Sequence, residues 1–327
     1  MLERIFRDTV AKYKLLKKRD RVILAVSGGP DSISMFHLFR ELKEELKLRM
    51  ICSHFNHGLR KDADKDEEFV RSLCSTYRMK FVSAKKEVAK FFKGDSLEQT
   101  ARRLRFDFFL NCSRQYKIKK IALAHTRDDV IETLLMRIIR GSALRGMRAI
   151  MPKSMYRSLC LIRPLIHISK RDVLKWLKDN NYLYRIDKTN LEEKFFRNKI
   201  RHKLISILKE FNPNVENNLF NLSKIAGEDY DFLYNYASSI FTSLKKISYK
   251  GIKLKIDDLK NLHPAIFKEI IRIAIEDVKG DLRKVEYRHL EEIEDLLINR
   301  PSGSIVHLPH LEIKKDDAFL FIKSLIL

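Results

Sequence analysis

The feature that most constrains this chain is a buried-strand pattern that ends in a glycine-rich turn and runs directly into a helical pattern. The run Arg21 to Ser27 is apolar on both faces, as in a strand that is covered on both sides of a parallel sheet. The turn Gly28-Gly29-Pro30 follows, and apolar residues at helical spacing begin at Asp31. Strands are then predicted at 49–54, 80–84 and 119–124, alternating with helices at 63–77, 96–116 and 130–140. This alternation predicts an α/β fold, with a doubly wound parallel sheet that carries helices on both faces.

After residue 141 the pattern loosens, and two further helices are predicted at 169–180 and 193–210. The segment Phe211-Asn212-Pro213-Asn214 stops a helix, which predicts a domain boundary there. We therefore expect a domain at 1–211 and a smaller, mainly helical one at 212–327. The second domain has predicted helices at 215–246, 263–278 and 285–299 and short strands at 305–308 and 319–322.

The positive charge is concentrated in the first predicted domain. The 327 residues include 66 Lys and Arg against 43 Asp and Glu, a formal charge of +23, and residues 1–210 hold 49 of the basic and 25 of the acidic ones. A field of this size indicates a nucleic-acid partner. A general lysine enrichment that needs no partner is the main alternative. A membrane surface is less favoured, because no amphipathic helix carries a basic face.

The chain shows no pattern of a secreted or membrane protein. No apolar run reaches the roughly 20 residues of a membrane span, and the N-terminus lacks a signal-peptide core. The four cysteines, Cys52, Cys74, Cys112 and Cys160, form no Cys-x-x-Cys pair. This spacing argues against a zinc ribbon, a disulfide framework or a local iron–sulfur motif, and a cytoplasmic location is predicted.

The turn Ser27-Gly28-Gly29-Pro30-Asp31-Ser32 has the composition of a phosphate-binding loop. Glycines let the backbone approach a phosphate closely, and a helix N-terminus offers free amides and a positive dipole end. The two serines add hydroxyl donors, and Asp31 is suited to hold a magnesium ion. The spacing matches neither the Walker A pattern nor Gly-x-Gly-x-x-Gly. A purely structural turn would explain the glycines and proline but not both serines.

Two polar clusters follow later strands. His54, Asn56 and His57 come at the end of the second predicted strand, and His125 follows the fourth. Histidines at several strand ends on one sheet edge fit a site better than a core. Asp128, Asp129 and Glu132 stand near a helix start, where they could bind magnesium or an ammonium group, or simply cap the helix.

Two groups of arginines are candidates for binding phosphates of a nucleic acid. Arg102, Arg103 and Arg105 lie along one predicted helix, where a solvated face is the alternative reading. Arg197 and Arg201, four residues apart, would present one basic face.

The loop Ser-Gly-Gly-x-Asp-Ser resembles the pyrophosphate loop of the N-type ATP pyrophosphatases, or PP-loop superfamily. Six ordered motifs across about residues 20–205 narrow the resemblance to the tRNA(Ile)-lysidine synthetases. Beyond the loop, these motifs are His54 to Arg60, Ser96 to Phe106, Ala124 to Thr133, Arg140 to Gly146, Arg163 to Ile166, and Asp187 to Asn190 with Phe196 to Arg201.

The resemblance implies an enzyme that uses ATP, Mg²⁺ and L-lysine to modify C2 of the first anticodon cytidine in the CAU-anticodon isoleucine tRNA. The oligomeric state is not specified by the motifs, and a homodimer is one alternative. The second domain would be an accessory, tRNA-contacting domain by its position alone. Implied ATP-binding residues are Ser27, Gly28, Gly29, Pro30, Asp31, Ser32, His54 and Asn56; implied catalytic residues are Asp31, His125, Asp128, Asp129 and Glu132, with Asp31 on the metal; implied tRNA-binding residues are Arg102, Arg103, Arg105, Arg140, Arg145, Arg197 and Arg201.

Two departures from the family pattern affect loop shape. Ala143 replaces a glycine in the Arg-Gly-Ser-Gly-Leu motif, and Asp187-Lys188-Thr189-Asn190 replaces Asp-Pro-Ser-Asn. A tRNA sulfurtransferase is the nearest rival, but such enzymes need a cysteine pair or an iron–sulfur cluster, and the scattered cysteines argue against it. A non-enzymatic RNA-binding module would explain the charge but not the phosphate loop.

Overall fold

A computed structural model describes residues 1–58, 62–91, 97–186, 196–249 and 251–325. The predicted motif Asp187–Asn190, together with Leu59, Arg60, Ser96 and Phe195, lies outside these residues. The described chain separates into two compact units, Met1–Gly227 and Glu228–Leu327.

Within the described residues, the first unit is built on a six-stranded sheet. Its strands are β1 (Arg21–Ala25), β2 (Arg49–Asn56), β3 (Lys80–Lys85), β4 (Lys120–Ala122), β5 (Lys153–Tyr156) and β6 (Leu159–Ile162). Its helices are α1 (Leu2–Lys12), α2 (Pro30–Glu45), α3 (Ala63–Thr76), α4 (Leu97–Tyr116), α5 (Arg127–Ile139), α6 (Leu144–Met147), α7 (Lys170–Asp179), α8 (Phe196–Lys199) and α9 (Ile205–Phe211), with a 3₁₀ turn at Val88–Phe91 and a π-helical turn at Ile200–Leu204.

The strand order is β3-β2-β1-β4-β6-β5, and every pairing is parallel except that of β5 with β6. Alternate residues of β1 bury on opposite faces: Val22 and Leu24 pack with α1, α2, α3 and α7, whereas Ile23 packs with α4. Apolar residues on both faces therefore reflect helices on both faces, and the predicted doubly wound α/β fold is confirmed.

Among the helices and strands described in the first unit, α1, α6, β5 and β6 were not predicted. β6 continues the parallel sheet beside β4, with Lys120 opposite Cys160. Its four residues are too short to give a periodic signal, and the antiparallel β5 precedes it closely.

The second unit combines helices with an antiparallel sheet. Its strands, in the order β7-β8-β11-β10-β9 among the described residues, are β7 (Lys246–Ser248), β8 (Gly251–Lys255), β9 (Ile305–Leu308), β10 (Leu311–Lys315) and β11 (Phe319–Ser324). Helix α10 (Val215–Leu244) leads into this unit, which also contains α11 (Ile256–Lys260), α12 (Pro264–Lys279) and α13 (Tyr287–Ile298). The sequence predicted two of these strands, at the positions of β9 and β11, and missed β7, β8 and β10.

The division between the units falls inside α10, later than the predicted boundary after residue 211. The reason is packing: Leu219 and Phe220, in the first turns of α10, contact buried residues of the first unit such as Leu134 and Leu135. Pro213 does end a helix, α9, but the chain stays with the first unit for another helical stretch. None of the described helices has the length and apolar character that a membrane crossing requires.

Candidate active site at the carboxyl edge of the sheet

The strand order reverses at β1, which has β2 on one side and β4 on the other. In such sheets the loops after the two central strands diverge and leave a crevice at their carboxyl ends. A cavity of about 500 Å³ lies there. Among its lining residues are Ser27, Gly29, Pro30, Asp31, Ser32, His57, Asp66, Arg105, His125, Lys170, Arg185 and Arg201.

The loop from Ser27 to Ser32 is folded around the hydroxyl of Ser32. This oxygen accepts hydrogen bonds from the amides of Ser27 and Gly28, each at 3.1 Å, and donates one to the carbonyl of Gly29 at 2.9 Å. Gly28 has φ +94°, a conformation that favours glycine, and Pro30 occupies the first turn of α2. Ser32 thus holds the loop in shape, and the N-terminus of α2 opens onto the cavity.

Asp31 faces the cavity without a hydrogen-bond partner among the described residues. Burial raises the pKa of this carboxyl from its ordinary value of 3.8 to about 7; Lys170 opposes that effect, and the nearby carboxylates of Asp129 and Asp128 reinforce it. An unpaired carboxylate whose oxygens are free is chemically suited to a hard cation such as Mg²⁺.

The predicted acidic cluster is paired with basic side chains. Asp129 accepts hydrogen bonds from the amide of Thr126 at 2.8 Å and from its hydroxyl at 3.1 Å, which caps α5. Its other oxygen lies 3.2 Å from Nζ of Lys170 and 3.0 Å from Nη2 of Arg197. These cations hold the pKa of Asp129 below its usual range although burial alone would raise it. Asp128 accepts a hydrogen bond from the amide of Lys170 at 2.8 Å, at the start of α7.

Glu132 is 1% exposed and binds two arginines. Nε of Arg197 and Nε of Arg201 each lie 2.6 Å from a carboxylate oxygen, and Nη2 of Arg201 adds a contact of 3.1 Å. The expectation that Arg197 and Arg201 form an open basic face is therefore corrected: both guanidinium groups turn inward because Glu132 and Asp129 are there to pair with them. A tRNA contact by either arginine stays a prediction.

His125 lines the cavity with its Nδ1 atom buried and without a hydrogen-bond partner in the described structure. Burial lowers the pKa of His125 to about 3, and the carboxylate of Asp129 opposes this only in part. The imidazole is therefore neutral near pH 7. A base this weak is better suited to accept a hydrogen bond than to remove a proton.

The predicted arginines of α4 separate into two environments. Arg102 and Arg103 are exposed, in line with a solvated or phosphate-facing surface. Arg105 turns into the cavity, where its Nε atom has no partner within the described residues. Burial lowers the pKa of Arg105 to about 10, and the positive charge of Arg102 adds to the effect. A guanidinium that lines the cavity and has its Nε atom unpartnered among the described residues is suited to an anionic group of a ligand.

The other two predicted arginines lie outside the cavity lining. Arg140 is exposed at the end of α5, where its guanidinium lies 5.6 Å from the centre of the Phe196 ring. Arg145, in α6, is partly exposed.

His54 and Asn56 are buried and do not line the cavity, and an ATP contact by either residue stays a prediction. Nδ1 of His54 lies 2.9 Å from the carbonyl oxygen of Val26. The side-chain NH2 of Asn56 donates to Asp64 at 2.9 Å, and its Oδ1 accepts from the backbone N–H of Gly58 at 3.0 Å. Residues 53, 55 and 57 line the cavity instead. Side chains alternate along a strand, so the even-numbered residues of β2 point to the opposite face.

Three residues that line the cavity were not identified from the sequence: Lys170, Arg185 and Asp66. Nε of Arg185 lies 3.2 Å from Asp66, and its backbone amide donates to the carbonyl of Gly28 at 2.9 Å, so this segment is tied to the loop. Lys170 follows Ser169, whose hydroxyl caps α7. Because β6 was not predicted, the residues after it could not be placed at the sheet edge.

Models of known protein families match two parts of the chain. A model described as a PP-loop domain matches residues 2–208. A second, described as a TilS substrate binding domain, matches residues 254–318.

Two curated relatives carry the name tRNA(Ile)-lysidine synthase. The one from Caldanaerobacter subterraneus is 37% identical over 313 residues, which is 94% of this chain and 66% of that protein. The one from Clostridioides difficile is 34% identical, with 92% of this chain and 66% of that protein covered. The chain thus spans about 66% of the length of these relatives.

Among solved structures, the chain is similar in fold to the U34-tRNA thiolase NcsA of Methanococcus maripaludis with its [4Fe-4S] cluster. The TM-score is 0.59 and the identity 18%, covering 68% of this chain and 77% of that one.

Proposed function

We propose, from the premise that the chain belongs to the PP-loop domain family, that it acts as a tRNA(Ile)-lysidine synthase. This enzyme would join L-lysine to C2 of the wobble cytidine in the CAU-anticodon isoleucine tRNA, at the cost of ATP, and so change the codon that is read from AUG to AUA. One observation carries the proposal: the unpaired Asp31 of a phosphate loop shares its cavity with Lys170 and Arg201, which bind the carboxylates Asp129 and Glu132.

The phosphate loop and Arg105 form the nucleotide side of the site. The N-terminus of α2 and the hydroxyl of Ser27 would bind phosphate oxygens, and the guanidinium of Arg105, which lines the same cavity, would neutralise part of their charge. Asp31 is the residue that would hold Mg²⁺. The ion, when bound, would stabilise negative charge on the phosphate oxygens.

The carboxylates Asp129 and Glu132 form the amino-acid side. Neighbouring cations hold the pKa of Asp129 below its usual range, and Glu132 is paired with two arginines. A buried carboxylate attracts an ammonium group strongly. The neutral imidazole of His125, which lines the cavity, would accept a hydrogen bond from the incoming amine. Asp128 would be a positioning residue. Its carboxylate accepts from the amide of Lys170 at the start of α7 and thereby fixes the position of Lys170.

The proposed reaction has two displacement steps. The C2 oxygen of cytidine attacks the α-phosphorus of ATP, the bond to the bridging oxygen breaks, and pyrophosphate leaves. The ε-nitrogen of neutral lysine then attacks C2 and gives up a proton, the C2–O bond breaks, and AMP leaves with that oxygen. Positioning the two reactants beside one set of phosphate-binding groups supplies most of the catalysis.

The proposed tRNA-binding residues are exposed arginines of the first unit. Arg102, Arg103 and Arg140 are exposed, and residues 1–210 carry nearly all of the excess positive charge. These side chains would bind backbone phosphates near the anticodon and set the register of the tRNA. The second unit, which includes residues 254–318, would contribute local contacts rather than bulk charge.

A tRNA thiolase is the second candidate, since NcsA shares the fold. The cysteines of this chain give that activity little support. Cys52 and Cys74 lie in one apolar core and Cys112 in another, and all three are buried. Across the described residues there is no group of three or more His, Cys, Asp or Glu that could hold a metal ion.

AMP release separates the candidates. The protein is incubated with ATP, Mg²⁺ and unmodified isoleucine tRNA, together with each amino acid in turn or with a sulfur donor. We expect AMP only with L-lysine. AMP that depends on the sulfur donor would favour the thiolase, and absence of AMP under all conditions would favour a tRNA-binding protein without this activity.

A further inference from the structure

The carboxylates that would bind the substrate's ammonium group are already filled by the protein's own cations. Asp129 contacts Lys170 and Arg197 through one oxygen, and its other oxygen accepts from Thr126. Both oxygens of Glu132 accept from arginines. An added ammonium group would therefore compete with these cations for the oxygens of Asp129 and Glu132.

The cations differ in how firmly they are held. Arg197 bridges Asp129 and Glu132, and Arg201 binds both oxygens of Glu132, with contacts as short as 2.6 Å. Among the described residues, the side chain of Lys170 makes one hydrogen bond to a carboxylate, at 3.2 Å. Paired guanidinium contacts of this kind are stronger and more rigid than a single ammonium contact. Lys170 is consequently the cation most easily displaced.

The position of Lys170 also offers its ammonium group a second binding position, beside the phosphate loop. It lines the same cavity as Ser27 and Asp31, where nucleotide phosphates would lie. Its backbone is fixed, because its amide donates to Asp128 at 2.8 Å at the first residue of α7. Only the flexible four-carbon stem has to swing from Asp129 towards an incoming phosphate.

We propose that the ammonium group of Lys170 occupies the substrate's ammonium subsite in the nucleotide-free protein, and that ATP phosphates draw it away so that lysine binds after ATP. The inference rests on the proposed function and adds an order of binding to it. Binding of ATP and binding of lysine are then coupled, because the same movement of the Lys170 side chain brings its ammonium group to the phosphates and releases Asp129.

The test measures binding of radiolabelled L-lysine by equilibrium dialysis, with and without α,β-methylene-ATP and Mg²⁺. For the wild-type protein we expect the analogue to tighten lysine binding by about tenfold or more, equivalent to about 1.4 kcal/mol. Lys170→Met should bind lysine without the analogue nearly as tightly as the wild type binds it with the analogue. In this variant the analogue should change lysine affinity by less than about threefold.

Two further variants make the result specific. Lys170→Gln keeps a hydrogen-bond donor without the charge and should behave like Lys170→Met. Lys175→Met, an exposed lysine on the same helix, should keep the wild-type dependence on the analogue. Melting temperatures of all variants check that the fold is retained.

Two results would overturn the exchange but leave the proposed function standing. One is equal lysine affinity of the wild type with and without the analogue; the other is a Lys170→Met variant that keeps the full dependence. No lysine binding by any of the proteins, with or without analogue and isoleucine tRNA, would overturn the proposed function and this inference with it.

Discussion

Among the single residues of the site, Asp31 is the one whose proposed role is most directly testable. It faces the cavity unpaired, with a pKa raised to about 7, whereas Asp129 and Glu132 are paired. An unpaired buried carboxylate lowers stability, so its presence is better explained by binding a ligand than by folding.

Asp31→Asn should therefore lower the rate of AMP release by about 10²-fold or more, since it removes the charge that would hold Mg²⁺ on the phosphates. The fold should be as stable as the wild type or more so. Asp179→Asn, an exposed aspartate at the end of α7, is the matched control and should retain activity. Near-normal turnover in Asp31→Asn would exclude the assigned role.

Glu132→Gln should destabilise the protein, because it leaves Arg197 and Arg201 without their main counter-charge. Breaking a buried ion pair from one side costs about 3 kcal/mol. Urea unfolding measures the difference in the free energy of unfolding, with the exposed Glu210→Gln as the control. A change below about 0.5 kcal/mol would mean that the network is not a stabilising one.

Single residues of the site could be predicted from the sequence where their role depends on neighbouring residues in the chain. The loop of Ser27 to Ser32 carries its own turn, cap and hydroxyls, so its place beside a cavity could be predicted. The direction of His54 and Asn56 could not, because β2 is buried on both faces and carries polar residues on both, so its pattern does not tell one face from the other. Lys170 depends on contacts with Asp128 and Asp129, more than 40 residues away in the chain, as the separations of 41 and 42 show.

At the scale of elements, the contact between α2 and the end of α7 has a built-in sensitivity to acid. His37 of α2 stacks on Tyr182, with ring centres 3.6 Å apart, and Arg40 donates to the Tyr182 hydroxyl. Burial lowers the pKa of His37 from 6.5 to about 4, and the charge of Arg40 adds to this. The unfolded chain takes up the proton first as the pH falls, so this stability is present above pH 6.5 and is lost towards pH 4.

His37→Phe keeps an aromatic ring and removes the titration. Between pH 7.5 and 5, the wild type should lose about 1 to 2 kcal/mol more stability than the variant. Comparing urea unfolding of the two proteins at both pH values cancels the contributions of other histidines. Parallel losses in the two proteins would show that His37 does not titrate in this way.

Elements were predictable in proportion to their length and burial. β1 and α2 have a strong pattern, because β1 is apolar from Val22 onwards and α2 is buried along most of its length. β6, β7 and β10 have three to five residues each, and their pairing partners rather than their own pattern make them strands. The boundary inside α10 depends on tertiary packing, which no helix-stop signal reports.

At the scale of the whole molecule, charge is divided unevenly. Residues 1–210 carry 49 basic and 25 acidic residues, and the remainder is nearly neutral. If the first unit binds tRNA phosphates, affinity should fall steeply with salt. Arg102→Gln with Arg103→Gln should reduce the slope of log K against log salt by about 1.5.

The control for that experiment lies in the second unit. Arg283→Gln with Arg288→Gln removes the same charge from exposed positions and should leave the slope nearly unchanged. Equal effects of the two double variants would assign the phosphate contacts to the whole surface rather than to the first unit.

In the proposed reaction, ATP activates the C2 oxygen of the wobble cytidine for replacement by lysine. The most direct measurement uses isoleucine tRNA whose wobble cytidine carries heavy oxygen at C2, with ATP, Mg²⁺ and L-lysine, and follows the label by mass spectrometry. We expect the heavy oxygen in the phosphate of AMP, with one AMP formed for each lysine-bearing nucleoside. AMP that carries no label, or a nucleoside that keeps its heavy oxygen, would contradict the account.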